Sequence, residues 1–174
     1  AGPPSITSQG FAAALEKSGA SSAPWEEEDL RAENFVEITP PGLSGLQIFK
    51  NSKTYASYIY RDGGIYPFSG YFGGFGVTSV QPVSGEEGIR GLLYASSWGS
   101  GPHRSEIGFF DLTTMTDQPR VVDYTNENND MVILSLDGEL SGFYGVYRGE
   151  MTAGASWEAA EYLGSLTIRD NTFI

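Results

Sequence analysis

The chain has 174 residues, 40% of them apolar, with 22 acidic and 10 basic side chains and no cysteine. The net charge of −12 argues against a nucleic-acid partner, whose phosphates need basic neutralisation, and equally against an anionic membrane surface. The absence of cysteine excludes disulfides, thiol nucleophiles, iron–sulfur clusters and cysteine-ligated zinc. Glycine is abundant, at 23 residues, and 10 Tyr, 10 Phe and 3 Trp accompany it, a composition that favours a turn-rich β-domain. No apolar run approaches the roughly 20 residues of a membrane-spanning helix. The opening Ala-Gly-Pro-Pro, without an initiator Met, fits a terminus left by cleavage and equally one left by Met removal, and an exported protein is the favoured expectation.

The first element in chain order is a short helix in "TSQGFAAALEKSGASS". Thr7 or Ser8 can cap it, Phe11 and Leu15 fall four apart on one face, and Gly19 can end it. A second short helix is expected in "SAPWEEEDLRAENF", where Pro24 suits the first turn and Trp25 and Leu30 are the anchors. Glu26, Glu27 and Glu28 sit where the positive end of a helix dipole favours them, and the same run offers a face to a basic partner or cation.

From Phe35 onward the texture changes. "FVEI", "LQIF", "YASYIY", "YFGGFGVTSV", "IRGLLYA", "IGFFDL", "RVVDY", "MVILSL" and "GFYGVYRG" are short, rich in aromatic or β-branched residues, and bounded by turn formers. "RDGG" at 61–64, "SGEEG" at 84–88 and "LDGE" at 136–139 are expected to be tight turns. In the tail, "SWEAAEYLG" (156–164) has the composition of a two-turn helix, with adjoining strands as the alternative, and "SLTIRD" follows as a strand. The expected fold is mainly β: an antiparallel meander of about eight to ten strands closing into a barrel or a bent two-layer sheet. Short helices occupy the N-terminal region. Residues 1–34 form an arm packing on a β-domain of residues 35–174, in one compact unit.

The sequence assembles no catalytic constellation. His103 is the single histidine, and the flanking Ser96, Ser97, Ser100 and Ser105 lack a nucleophile-elbow context. No phosphate-binding glycine loop carries its lysine. Glu106 with Asp111, or Glu139 with Glu150, are the candidate carboxylate pairs for an acid-residue hydrolase. "ASSWGSGPHRSE" (95–106) reads as a long loop presenting Trp98, His103 and Arg104, the composition of a protein-interaction hot spot. In "DYTNENNDM", Asp123, Asn126, Asn128 and Asp130 could supply oxygen ligands to calcium. No EF-hand spacing is present, and a hairpin turn is the ordinary reading.

Two related stretches, "SGYFGGFG" (69–76) and "SGFYGVYRG" (141–149), each set a glycine between two aromatics on one face of a strand. Tyr71 and Phe75 form one stripe, and Phe143 and Tyr147 the other. Such a stripe is read first as packing inward at a sheet corner, and second as a stacking surface for a sugar ring or an apolar ligand. The leading functional expectation is a non-enzymatic accessory or structural subunit docking onto a larger protein assembly through its arm and exposed loops. A β-module binding carbohydrate or a small apolar molecule is the alternative, with Trp98, His103, Arg104, Tyr71, Phe75, Phe143 and Tyr147 as contact residues. No cofactor is expected.

Overall fold

A computed structural model describes residues 5–19, 27–68, 74–85, 88–98, 103–118, 122–126, 132–140, 143–151, 157–167 and 172–173. The chain is mainly β and antiparallel, with one short α-helix near its start. It divides into two compact units, Ala1–Phe72 and Gly73–Ile174.

In the first unit, helix α1 (Ser8–Ser18) forms where the sequence predicts it. Thr7 accepts from Gly10 N at 3.1 Å, and Gly19 ends the helix at φ 70° with its N–H on Glu16 O. The next segment forms two short 3-10 turns, Glu27–Leu30 and Ala32–Asn34, where an α-helix is expected. Arg31 between them is extended, at φ −66° and ψ 149°. The Asp29 carbonyl accepts instead from the side-chain amides of Asn34 and Asn51, which draws it out of any helical ladder. Four strands follow in spatial order β1-β2-β3-β4: β1 (Phe35–Glu37), β2 (Gln47–Asn51), β3 (Ser57–Arg61) and β4 (Gly64–Phe68). The β3–β4 hairpin closes on Asp62 and Gly63 at φ 51° and 81°, the two left-handed residues of a type I′ turn, as the Asp-Gly signal predicts.

Helix α1 buries Phe11 and Leu15 against this sheet. Phe11 stacks on Phe49 at 4.4 Å and meets Phe35 edge-on at 5.3 Å, with Tyr58 completing the buried cluster. Along the same face, Phe35, Phe49 and Tyr58 give way to Glu37, Gln47 and Tyr60, so the apolar core passes into a polar end.

In the second unit, β5 (Gly74–Gly85), β6 (Gly88–Trp98) and β7 (His103–Asp111) are consecutive neighbours. The outer edge of β7 is shared. Strand β8 (Thr116–Asp117) takes one end and β9 (Val122–Asn126) the other. A second sheet runs in order through β10 (Val132–Leu140), β11 (Phe143–Met151), β12 (Trp157–Thr167) and β13 (Thr172–Phe173). The two sheets share one core. Val83, Leu93, Ala95 and Ile107 come from the first, and Tyr144, Val146 and Leu166 from the second. The Tyr144 hydroxyl donates to Pro82 O at 3.0 Å and ties the layers together. Within the first sheet, Tyr94 lies over Gly108, its register partner. A Cβ there would stand 2.5 Å from the ring's Cζ, and the Tyr94 hydroxyl reaches Asp117 at 2.6 Å. The described strands, thirteen in all, form open sheets, and the second unit is the bent two-layer arrangement, not a closed barrel.

Two local expectations are corrected here. Residues 157–164 of "SWEAAEYLG" lie in β12, not a helix. The backbone of β12 is paired to β11 from Met151↔Trp157 to Tyr144↔Leu166, and that ladder with the burial of Leu166 outweighs the modest helix preference of Ala and Glu. "LDGE" is not a turn either. Strand β10 runs through it, and the register shift between Leu136 and Glu139 makes Asp137-Gly138 a bulge.

Phe11→Ala is expected to remove about 3–5 kcal/mol of stability, read from urea unfolding of the purified chain. A loss under about 1 kcal/mol would mean that α1 is not anchored by this ring.

Candidate functional site

The segment expected as a long loop is largely strand. Ala95–Trp98 finish β6 and His103–Glu106 begin β7, with Ser96↔Glu106, Ser97↔Ser105 and Trp98↔Arg104 in register. The run of serines is strand because the hydroxyls find partners inside. Ser97 and Ser105 share a hydrogen bond of 2.8 Å, and Ser96 donates to Glu106 at 3.4 Å. Glu106 is 2% exposed, within the sheet and away from solvent. Backbone pairing brings Trp98, His103 and Arg104 to one end of the sheet, where His103 also pairs with Asn126. Their side chains lie outside the described residues, as do those of Phe75 and Phe143 and the whole of Tyr71.

The carboxylate pairs are not brought together. Glu106 and Asp111 are five positions apart on β7, on opposite faces and roughly 17 Å along the strand, too far for a glycosidase pair. Glu139 and Glu150 pair with Tyr144 and Val132, at opposite ends of the β10–β11 hairpin. Asp111 has a structural task. The Thr113 hydroxyl and N–H and the Thr114 N–H donate to it, and these bonds hold its carboxyl below the ordinary value. In "DYTNENNDM", β9 pairs with β7 and β10 with β11, and residues 127–131, where the turn is expected, lie outside the described residues. Of the calcium candidates, Asp123 and Asn126 lie on β9, with side chains outside the described residues, and Asn128 and Asp130 lie wholly outside them.

Two surfaces remain. On the second sheet of the second unit, Tyr144 and Val146 point into the core, so the alternate face of β11 points away from it. There Tyr147 stands opposite Tyr162 of β12, with ring centroids 5.4 Å apart and planes inclined at 58°. Tyr162 is 56% exposed, although large and aromatic. Its hydroxyl bonds to Ser165, the register partner of Gly145. Gly145, which has no side chain, shares this face of β11 with Tyr147, opposite the Ser165 hydroxyl. The inward aromatic stripe expected of "SGFYGVYRG" is therefore corrected for Tyr147. The core face of this strand is the Tyr144–Val146 face. Neither Tyr162 nor Ser165 stands out in the sequence: Tyr162 lies in the segment whose composition suggests a helix, and Ser165 opens the strand expected after it.

The second surface is a polar cleft of about 240 Å³ in the first unit, at the polar end of the α1 face. Glu37 of β1, Tyr60 and Asp62 of the β3–β4 hairpin, Leu43 to Leu46 of the β1–β2 connection and Gln47 of β2 line it. Glu37 is held from two sides. Thr39 Oγ1 donates to one carboxylate oxygen at 2.7 Å and Gln47 Nε2 to the other at 3.2 Å. Both donors are fixed in turn. Thr39 accepts from Ile48 N, and the Gln47 amide exchanges hydrogen bonds with both backbone groups of Ile6.

Lys50 of β2 is partly buried, and burial lowers its pKa from 10.5 to about 8. The amine lies over the Tyr55 ring at 5.8 Å, and Tyr55 itself is left-handed at φ 63°. Ser57, the cross-strand partner of Lys50, is buried, and its hydroxyl has no hydrogen-bond partner among the described residues, so the two do not form a hydrogen-bonded Ser–Lys pair.

Comparison with protein families, with curated proteins and with solved structures finds no match for this chain.

The depressed Lys50 value has a measurable consequence. Between pH 8 and about 10 the unfolded chain holds more protons at this residue than the folded one, so its cost to stability is full below pH 8 and fades as pH rises. Lys50→Met is expected to raise stability most at pH 7, with the advantage over the parent shrinking towards pH 10. Urea unfolding at unit pH steps checks this, and a pH-independent difference would contradict it.

Proposed function

We propose that the chain is a non-enzymatic binding module that recognises carbohydrate on the outer face of β11 and β12. The observation that carries this reading is the Tyr147–Tyr162 pair, presented on a sheet face beside Gly145 and Ser165. A pyranose has an apolar C–H face and polar edges, so it can lie on one tyrosine ring while an edge hydroxyl reaches Ser165. The neighbouring rows on a strand are roughly 7 Å apart, close to the span of one sugar ring. A strand pair holds the tyrosines in place, so little side-chain freedom is lost on binding.

Docking onto a larger protein assembly is the second reading. It is supported by β1, an edge strand whose one described partner is β2 and whose Val36 is 51% exposed. An open edge with an apolar side chain is a template for an added strand.

Titration of a glycan panel by calorimetry tests the first reading. A saturable signal is expected, weakened about tenfold in Tyr162→Ala with unchanged unfolding behaviour. No response across the panel would remove the carbohydrate reading and leave the docking one. Docking in turn requires the chain to co-purify with a partner from its native source.

A further inference from the structure

We propose that the cleft of the first unit is a receptor for an organic cation with an apolar stem, the chemistry of a lysine or arginine side chain. Three features point there. Glu37 is a preorganised acceptor: each oxygen takes one donor from the protein, and each keeps a lone pair for a ligand. Its support reaches into the interior, since Gln47 is 7% exposed and anchored to Ile6. Little reorganisation is therefore needed when a cation arrives.

The second feature is charge. Asp62 adds a second carboxylate, and no basic residue is among the described side chains lining the cleft. Arg61 reaches Asp62 only at 3.9 Å, with both side chains exposed, and a pair of that kind exchanges readily with an incoming cation. The third feature is shape. Leu43 and Leu46 give the wall an apolar part suited to a methylene stem, and Tyr60 offers a ring and a hydroxyl. A volume of about 240 Å³ is below the range of drug-sized pockets and suits one side chain or one small molecule. The net charge of −12 draws such ligands towards the molecule before contact.

Amide and side-chain NMR shifts test the site, with two cationic probes and one neutral control. The probes are n-butylamine, for a free small amine, and an acetylated, amidated Gly-Gly-Lys-Gly-Gly peptide, for a side chain presented by a partner. The control is the same peptide with norleucine in place of lysine. Saturable shifts are expected at Thr39, Ser44 and the Gln47 side-chain amide, weakening several-fold as salt rises from about 20 to about 300 mM. Glu37→Gln is expected to weaken binding about tenfold. Glu33→Gln, which removes an exposed acid outside the cleft, should leave it unchanged. Asp62→Asn, at an exposed turn position that Asn tolerates, provides a second variant should Glu37→Gln disturb the β1–β2 packing. Tighter binding of the peptide than of butylamine identifies a partner's side chain as the ligand, and the reverse identifies a free amine. Equal shifts with the norleucine peptide, equal weakening by Glu33→Gln, or no saturable shift with either cation would overturn the proposal. Retained glycan binding in Glu37→Gln separates this site from the tyrosine surface.

Discussion

Every β-strand must give its N–H and C=O groups to a neighbour, and in this chain that neighbour is nearly always the next strand in sequence. The rest of the structure depends on this local antiparallel pairing. It sets which residues stand side by side, and hence where the core ends and the surface begins. The first unit shows the effect on one face. Three strands place Phe35, Phe49 and Tyr58 under α1, and two positions along the same strands stand Glu37, Gln47 and Tyr60, with Gln47 opposite Tyr60 and Glu37 opposite Phe49. A single face thus changes from apolar to acidic within one turn of a pleat, and the cleft lies where it changes.

The second unit applies the same rule twice and stacks the results. Tyr144 contributes both terms that hold the layers together. Its ring joins the shared apolar cluster, and its hydroxyl finds the Pro82 carbonyl, which would otherwise face the opposing sheet. Because Tyr144 turns inward, strand alternation turns its near neighbours Gly145 and Tyr147 outward. The exposed tyrosine surface is therefore a by-product of the inward turn of Tyr144. The register shifts in β11 and β12 then set Tyr147 directly opposite Tyr162.

Much of the fold was legible where local chemistry and tertiary packing agree. Thr7, Phe11, Leu15 and Gly19 gave one helix its cap, its buried face and its end, and Asp62-Gly63 gave a hairpin its turn. Legibility failed where tertiary contacts overrule local preference. Residues 157–164 have helix-forming composition but are held by a ladder along β11. Ser96, Ser97 and Ser105 are residues typical of loops, yet their hydroxyls are satisfied across a strand pair. The candidate sites were less legible still. Alternation places Tyr147 on one face of β11, but only the partner strand decides that this face is the exposed one and that Tyr162 joins it. Glu37 and Asp62 are too far apart in sequence for any spacing rule to connect them.

The outer edge of β7 has a consequence for how the molecule behaves among its own copies. That edge is divided between two short strands, β8 and β9, each antiparallel to β7 and offset along it. Among the described strands, a second chain approaching this side meets two brief, offset hydrogen-bonding rows in place of one long one, and a foreign strand has no continuous row to pair with. Because this break is built into the backbone, high salt, which screens the acidic surface and lets copies approach, does not remove it.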